Sequence, residues 1–265
     1  SAGVRIREGA DSVEVKNCDI SGFGVGVGVK ARSARINTNQ LHGNTREGLK
    51  LSQQDSVVSG NTLFENPAGI GVSGTGHHLL QNTIRNNAEY GLNIQQGSNH
   101  RIERNTLNDN PTGIYLTSNE GTNISSNIIR SSSVALSISS THRSTFTQNT
   151  LTDNQGGISF GLSSTQNTVQ ENTITGSQQT AIHLSGGSAE NILARNILRQ
   201  NRKGIDVEDS SGTRITSNTI ERHSQSGIKL KKADRAVVSD NIICGNALDQ
   251  TPPNNLHEKD VHCRE

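Results

Sequence analysis

His183, Asp206 and Lys229 follow one another at intervals of 23 residues. A base, a carboxylate and a cation in one line can hold an anion and move a proton beside it. Arg202, Lys203, Glu208 and Lys231 flank that line. A second group comprises Tyr90, Asn93 and Tyr115, with Glu89 beside them, and it holds both tyrosines of the chain. A phenol can serve as acid or base, and an aromatic ring offers a flat apolar face with a polar tip. Lys50 belongs to the same spacing series. The bland alternative for both groups is a solvated polar face, on which mutual ion pairs contribute little.

What aligns these residues is a repeat. Ile102, Asn105, Leu107, Asn110 and the run Gly113-Ile114-Tyr115-Leu116 form one unit, and the same grammar returns about every 22 residues, the signature of a stacked architecture. Aligned on its asparagine, the series runs Cys18, Asn39, Asn61, Asn82, Asn105, Asn127, Asn149, Asn172, Asn196, Asn218 and Asn241. An apolar residue stands three places before each of these, and Ile or Leu two places after. A second asparagine stands five places after in seven of the eleven units (Asn44, Asn66, Asn87, Asn110, Asn154, Asn201 and Asn246). Gly or Ala then introduces an apolar-x-apolar run such as Leu49-Lys50-Leu51 or Ile228-Lys229-Leu230.

Apolar-x-apolar alternation marks a strand with one face buried. Asn, Gly and Ser between such runs mark turns, and asparagine is expected to take the left-handed backbone conformation at the corners. Three short strands and three corners per unit make a triangular coil. A single coil cannot bury its inward side chains, so coils must stack about 4.8 Å apart with parallel pairing. Inward Ile, Leu and Val then form columns, and the corner amides form asparagine ladders. Cys18 is expected to fill its rung as a buried thiol. A left-handed β-helix, which needs strict six-residue repeats, and a leucine-rich repeat, which orders its apolar positions differently, fit less well.

The I-x-x-N-x-I corner (Ile102–Leu107) and the N-x-x-G-I-x-L strand (Asn110–Leu116) resemble the right-handed parallel β-helix of the pectin-lyase-like superfamily. The resemblance extends over about residues 13–246. It implies an all-β solenoid of about eleven coils, with residues 1–246 as one domain and 247–265 as a non-repetitive capping tail. It also implies that sugar binding and catalysis lie on the outward face of one sheet. The Gly-apolar-x-apolar strand is the natural candidate, because its outward positions include Lys50, Asn93, Tyr115, His183, Asp206 and Lys229. On that reading His183, Asp206, Lys229 and Tyr115 are the candidate catalytic residues. Tyr90, Asn93, Lys50, Arg202, Lys203, Glu208 and Lys231 are candidate substrate contacts.

The superfamily's catalytic signatures are missing: there is no D-P-H-[DE], no N-T-D, G-H-G or R-I-K, and no close acidic pairs suited to calcium. The expected function is therefore a secreted, cell-surface or periplasmic β-helix that binds polysaccharide or serves as a scaffold, a module resembling the parallel β-helix repeat proteins that include the NosD-like ones. The alternative is a lyase or C5-epimerase acting on an anionic glycan through the His183 row.

Bulk composition excludes several classes. The 25 basic and 24 acidic residues leave a net charge of +1, which gives no global attraction for nucleic acid or an anionic membrane. No apolar run approaches a membrane span, and neither a cofactor motif nor metal-ligand spacing is present. Aromatics are 2% and hydrophobics 29%, enough only for a narrow aliphatic core. With no Met at residue 1 and no capping segment before the first strand, further sequence or an end-to-end partner is expected at the N-terminal coil. Cys244 and Cys263 bracket the tail and are a candidate disulfide.

Overall fold

The computed structural model describes residues 1–247. These form three parallel sheets of eleven strands each, every strand pairing with its counterparts one coil before and one coil after. Sheet 1 begins with the strand Ala2–Ile6, sheet 2 with Glu14–Lys16 and sheet 3 with Asp19–Ser21. One pass through the three sheets is one coil. The first coil spans residues 2–21 and the eleventh 228–244, so the solenoid is about 50 Å long. Strands in sheets 2 and 3 are three residues long, while those in sheet 1 reach nine, as in Tyr90–Ser98 and Thr112–Glu120.

The core is a stack of aliphatic columns. Ile36, Val58, Leu79, Ile102 and Ile124 form one in sheet 2; Leu41, Leu63, Ile84, Leu107 and Ile129 form one in sheet 3; all are fully buried. Each such side chain contributes about 1.5–3 kcal/mol on leaving water. Phe146 and Phe160 are the aromatic members, packed edge to face at 5.6 Å.

The corners differ from expectation in one respect. The left-handed residue is the one before each ladder asparagine, not the asparagine itself. Asn17, Thr38, Gly60, Gln81, Arg104 and their equivalents have φ between 53° and 63°. The ladder asparagine is occupied instead as a hydrogen-bond relay. The backbone N–H and Nδ2 of Asn105 both donate to Asn127 Oδ1, at 2.9 and 3.0 Å, and Nδ2 also donates to Leu79 O at 3.0 Å. Asn105 Oδ1 in turn accepts from Asn82. A short amide is needed because one side chain must accept from the preceding coil and also donate.

The second series is a ladder of the same construction. Asn66, Asn87 and Asn110 relay in the same direction, and His223 takes one rung, its Nδ1 accepting from Asn201 N–H at 3.1 Å. Ser132 and Ser177 interrupt it. A third corner carries a mixed column that the reading of the sequence missed. Here Ser56 N–H donates to His77 Nδ1 and His77 N–H to His100 Nδ1, and the two imidazoles stack 5.4 Å apart. Further along, Ser144 and Asn167 carry the column on to Asn191. Its signal was present, since each member stands two places before the apolar residue of the sheet 2 strand.

Cys18 is half-buried rather than buried. Its thiol is free, and its N–H donates to Asn39 Oδ1. Cys244 closes the last strand of sheet 3, Ile242–Cys244. Its expected partner Cys263, and the tail at 248–265, lie outside the described residues.

Candidate functional site

Sheet 1 presents one outward residue per coil in unbroken register: Arg5, Gly28, Lys50, Gly71, Asn93, Tyr115, Ser137, Ser159, His183, Asp206 and Lys229. Flat parallel pairing forces this alignment, because each residue faces its counterpart about 4.8 Å away. His183 lies on the strand Thr180–Leu184, Asp206 on Lys203–Glu208 and Lys229 on Ile228–Lys231.

A depression of about 370 Å³ lies over coils 7 to 11. Its floor is low because the outward side chains there are small, with Gly156 and Ser159 among them. Its wall is charged: His183, Arg202, Lys203, Asp206, Glu208 and Lys229 all line it. Six of the residues selected from the sequence thus meet in one cavity.

Within it the charges are not equivalent. Asp206 is only 6% exposed, and its Oδ2 accepts from Lys203 Nζ at 2.7 Å. Glu208 is bonded to Lys231, and that hydrogen bond, with the attraction of the same ammonium, holds the Glu208 carboxyl below its usual range and the Lys231 ammonium above its own. Both carboxylates are therefore already committed to lysines. Lys229 is exposed and Arg202 stands at the rim. Neither has a carboxylate within ion-pair distance among the described residues. His183 is half-buried beside them. The cavity can thus offer an imidazole and two cations without carboxylate partners to an anionic ligand; of the two, Arg202 also donates to the Gln225 amide oxygen at 3.1 and 3.2 Å once that amide is turned to face it. Lys231 is outside the cavity lining and acts on it through Glu208.

The tyrosine group forms a separate patch. Tyr90 and Tyr115 sit on adjacent coils with ring centroids 5.5 Å apart and planes 32° apart. Asn93 accepts from Gln95 at 3.0 Å. Tyr115 is three coils from His183, about 14 Å at the strand spacing, so the two do not share a reacting atom. Lys50 is farther still, on coil 3, paired with Glu47 at 3.3 Å. Among the described residues no three His, Cys, Asp or Glu side chains gather to hold a metal ion. No helix among them is long and apolar enough to cross a membrane.

Three stacked parallel sheets wound coil upon coil, with polar ladders at the corners, define a right-handed parallel β-helix. Residues 1–82, 56–198 and 165–251 match the right handed beta helix region, and the chain belongs to that family. No curated protein sequence matches it. Among solved structures it is similar to the periplasmic alginate epimerase AlgG, at 15% identity and a TM-score of 0.73, over 84% of this chain and 64% of that one. It is also similar to the catalytic domain of a GH87 α-1,3-glucanase bound to tetrasaccharides, at 13% identity and a TM-score of 0.74, over 99% of this chain and 62% of that one. A third similar structure is a mannuronic acid specific polysaccharide family 6 lyase from human gut microbiota, at 11% identity and a TM-score of 0.65, over 92% and 74%. At these identities the likeness concerns the fold. The chain spans less than two thirds of the length of the first two.

Proposed function

We propose that this chain is a β-helix that binds an anionic polysaccharide along the outward face of sheet 1, with the depression at coils 7–11 as its principal contact. The observation that carries this reading is the state of the charges there: both carboxylates are committed to lysines, while Arg202 and Lys229 have no carboxylate partner among the described residues. An anion entering the cavity gains two attractive partners without breaking an existing ion pair. Similarity of fold to an alginate epimerase and a polyuronate-type lyase supports the class of ligand, and the periplasmic epimerase supports an extracytoplasmic setting.

A second reading rests on the position of His183. It stands one coil from Asp206 and two from Lys229, so a uronate carboxylate held by Lys229 and Arg202 would present its C5 proton to a neighbouring imidazole. His183 would then be the base of a lyase or C5-epimerase, and the cations would stabilise the charge that develops on the carboxylate. Incubation with a panel of polyuronates separates the two readings. Binding without release of an ultraviolet-absorbing unsaturated product and without a change in epimer content supports the binding module. Turnover that disappears in His183→Ala supports the enzyme. In either case Arg202→Ala with Lys229→Ala is expected to weaken binding at least about tenfold, the loss of one to two charge-assisted contacts. Undiminished binding by that double variant would remove the cavity from the function.

A further inference from the structure

We propose that a second depression on the same sheet, at coils 1 to 3, is a separate anion-binding site that takes the far part of the polysaccharide held at coils 7–11. This inference rests on the reading above and extends it to a ligand long enough to touch both places.

The second depression has a volume of about 570 Å³ and is lined by Arg5, Arg7, Lys30, Arg46 and Lys50, with Glu8 as its one carboxylate. All five cations are exposed. Of them only Lys50 is engaged by a carboxylate, that of Glu47, among the described residues. This contrasts with other parts of the surface, where Arg101, Arg143 and Arg195 each meet a glutamate. Like charges gathered without partners repel one another, and a bound polyanion relieves that repulsion. The floor is open because the outward residue of coil 2 is Gly28. A Cβ there would meet only Ala2 Cβ at 3.9 Å and Val4 O at 4.0 Å, which is ordinary contact. The backbone would therefore accept a side chain at this position, and having none leaves a trough between Arg5 and Lys50.

Between the two depressions the row is uncharged: Gly71, Asn93, Tyr115 and Ser137. Lys50 and His183 are six coils apart, about 29 Å. Charges separated by more than about 8 Å are largely screened at physiological salt, so neither site senses the other directly. Only a ligand that reaches both can couple them. Binding at the second site is then intramolecular, and affinity gains on the order of 10²-fold once the chain is long enough.

The test is calorimetric titration with uronate oligomers of graded length, with sulfated and neutral oligomers of matched length in parallel. For the native chain a step in affinity is expected at one threshold length for anionic oligomers. Arg5→Gln with Arg46→Gln should abolish the step, and so should Gly28→Ile, which fills the trough without changing charge. Both variants should keep the native affinity for short oligomers at coils 7–11, lose the second, independent short-oligomer binding event at coils 1–3, and keep the native melting temperature. A step seen with sulfated rather than carboxylated oligomers would support the site and assign its ligand to sulfated glycans. A step that survives both variants, or short-oligomer binding with no step at any length, would overturn the second site alone. If no anionic oligomer binds at any length, both readings fall together.

Discussion

His100 and His223 do the accepting half of a ladder asparagine's work with a ring, and Nε2 of each is buried without a hydrogen-bond partner among the described residues. Each uses Nδ1 to accept a backbone N–H from the preceding coil, so each must be neutral with its proton on Nε2. Burial lowers the pKa of both from the ordinary 6.5 to about 4, and that of His77 is lowered as well. Since the folded form resists protonation while the unfolded chain does not, the unfolded state binds more protons between those values. Stability is therefore full above about pH 6.5 and declines as the pH falls towards 4. His100→Asn and His223→Asn replace the ring with the commoner rung and should flatten that decline. Thermal melts from pH 7 to pH 4 will show it, and an unchanged slope would mean that these rings do not act as acceptors. Asn105 is the neutral counterpart. Asn105→Ala leaves Asn82 N–H and Leu79 O without their partner, at a cost on the order of 1–3 kcal/mol. For a chain of this size that is a fall in melting temperature of about 2–4 °C per kcal/mol.

A corner is one left-handed residue followed by one buried polar residue, and the strand that follows depends on both. Of the non-glycine residues at positive φ among the described residues, only Thr38 is β-branched, although Val, Ile and Thr fill the strands. That division was readable in the sequence, and it makes the corner as informative as the strand. Behind the second corner, sheet 1 carries a buried column of glycines that includes Gly48, Gly69, Gly91 and Gly113. A Cβ on Gly91 would lie 2.6 Å from Gly113 O and 2.8 Å from Leu107 Cδ2, so no side chain can enter without moving the next coil. Gly91→Val should destabilise by about 1–3 kcal/mol, visible as a lowered denaturation midpoint; a neutral result would show that the coils can slide apart locally. Strand, ladder and row were legible because each depends on period alone: His183, Asp206 and Lys229 align whatever their rotamers. What was not legible depends on side-chain reach. Spacing could not say that Lys203 bends back to Asp206, that Lys231 leaves the cavity for Glu208, or that Tyr115 lies too far from His183 to work with it. The third corner column escaped notice because it mixes Ser, His, Thr and Asn, and only the position repeats.

Across the whole molecule, both ladders run one way. At each relaying asparagine the side-chain oxygen serves the coil before it, and the backbone N–H looks to the coil after it. Cys18 and Phe23 each donate the backbone N–H in the same direction, to Asn39 and Asn44 respectively. Each coil is therefore completed by its successor. As the chain leaves the ribosome, the most recently wound coil always carries rung donors that await acceptors not yet made, so the unfinished edge travels with synthesis from the first turn to the last. Shortening the rod is unequal for the same reason: coils removed from the front leave the rung Oδ1 without its donors but Nδ2 still bonded to the next rung, whereas coils removed from the back take the Oδ1 acceptor from both the backbone N–H and Nδ2 of the last rung.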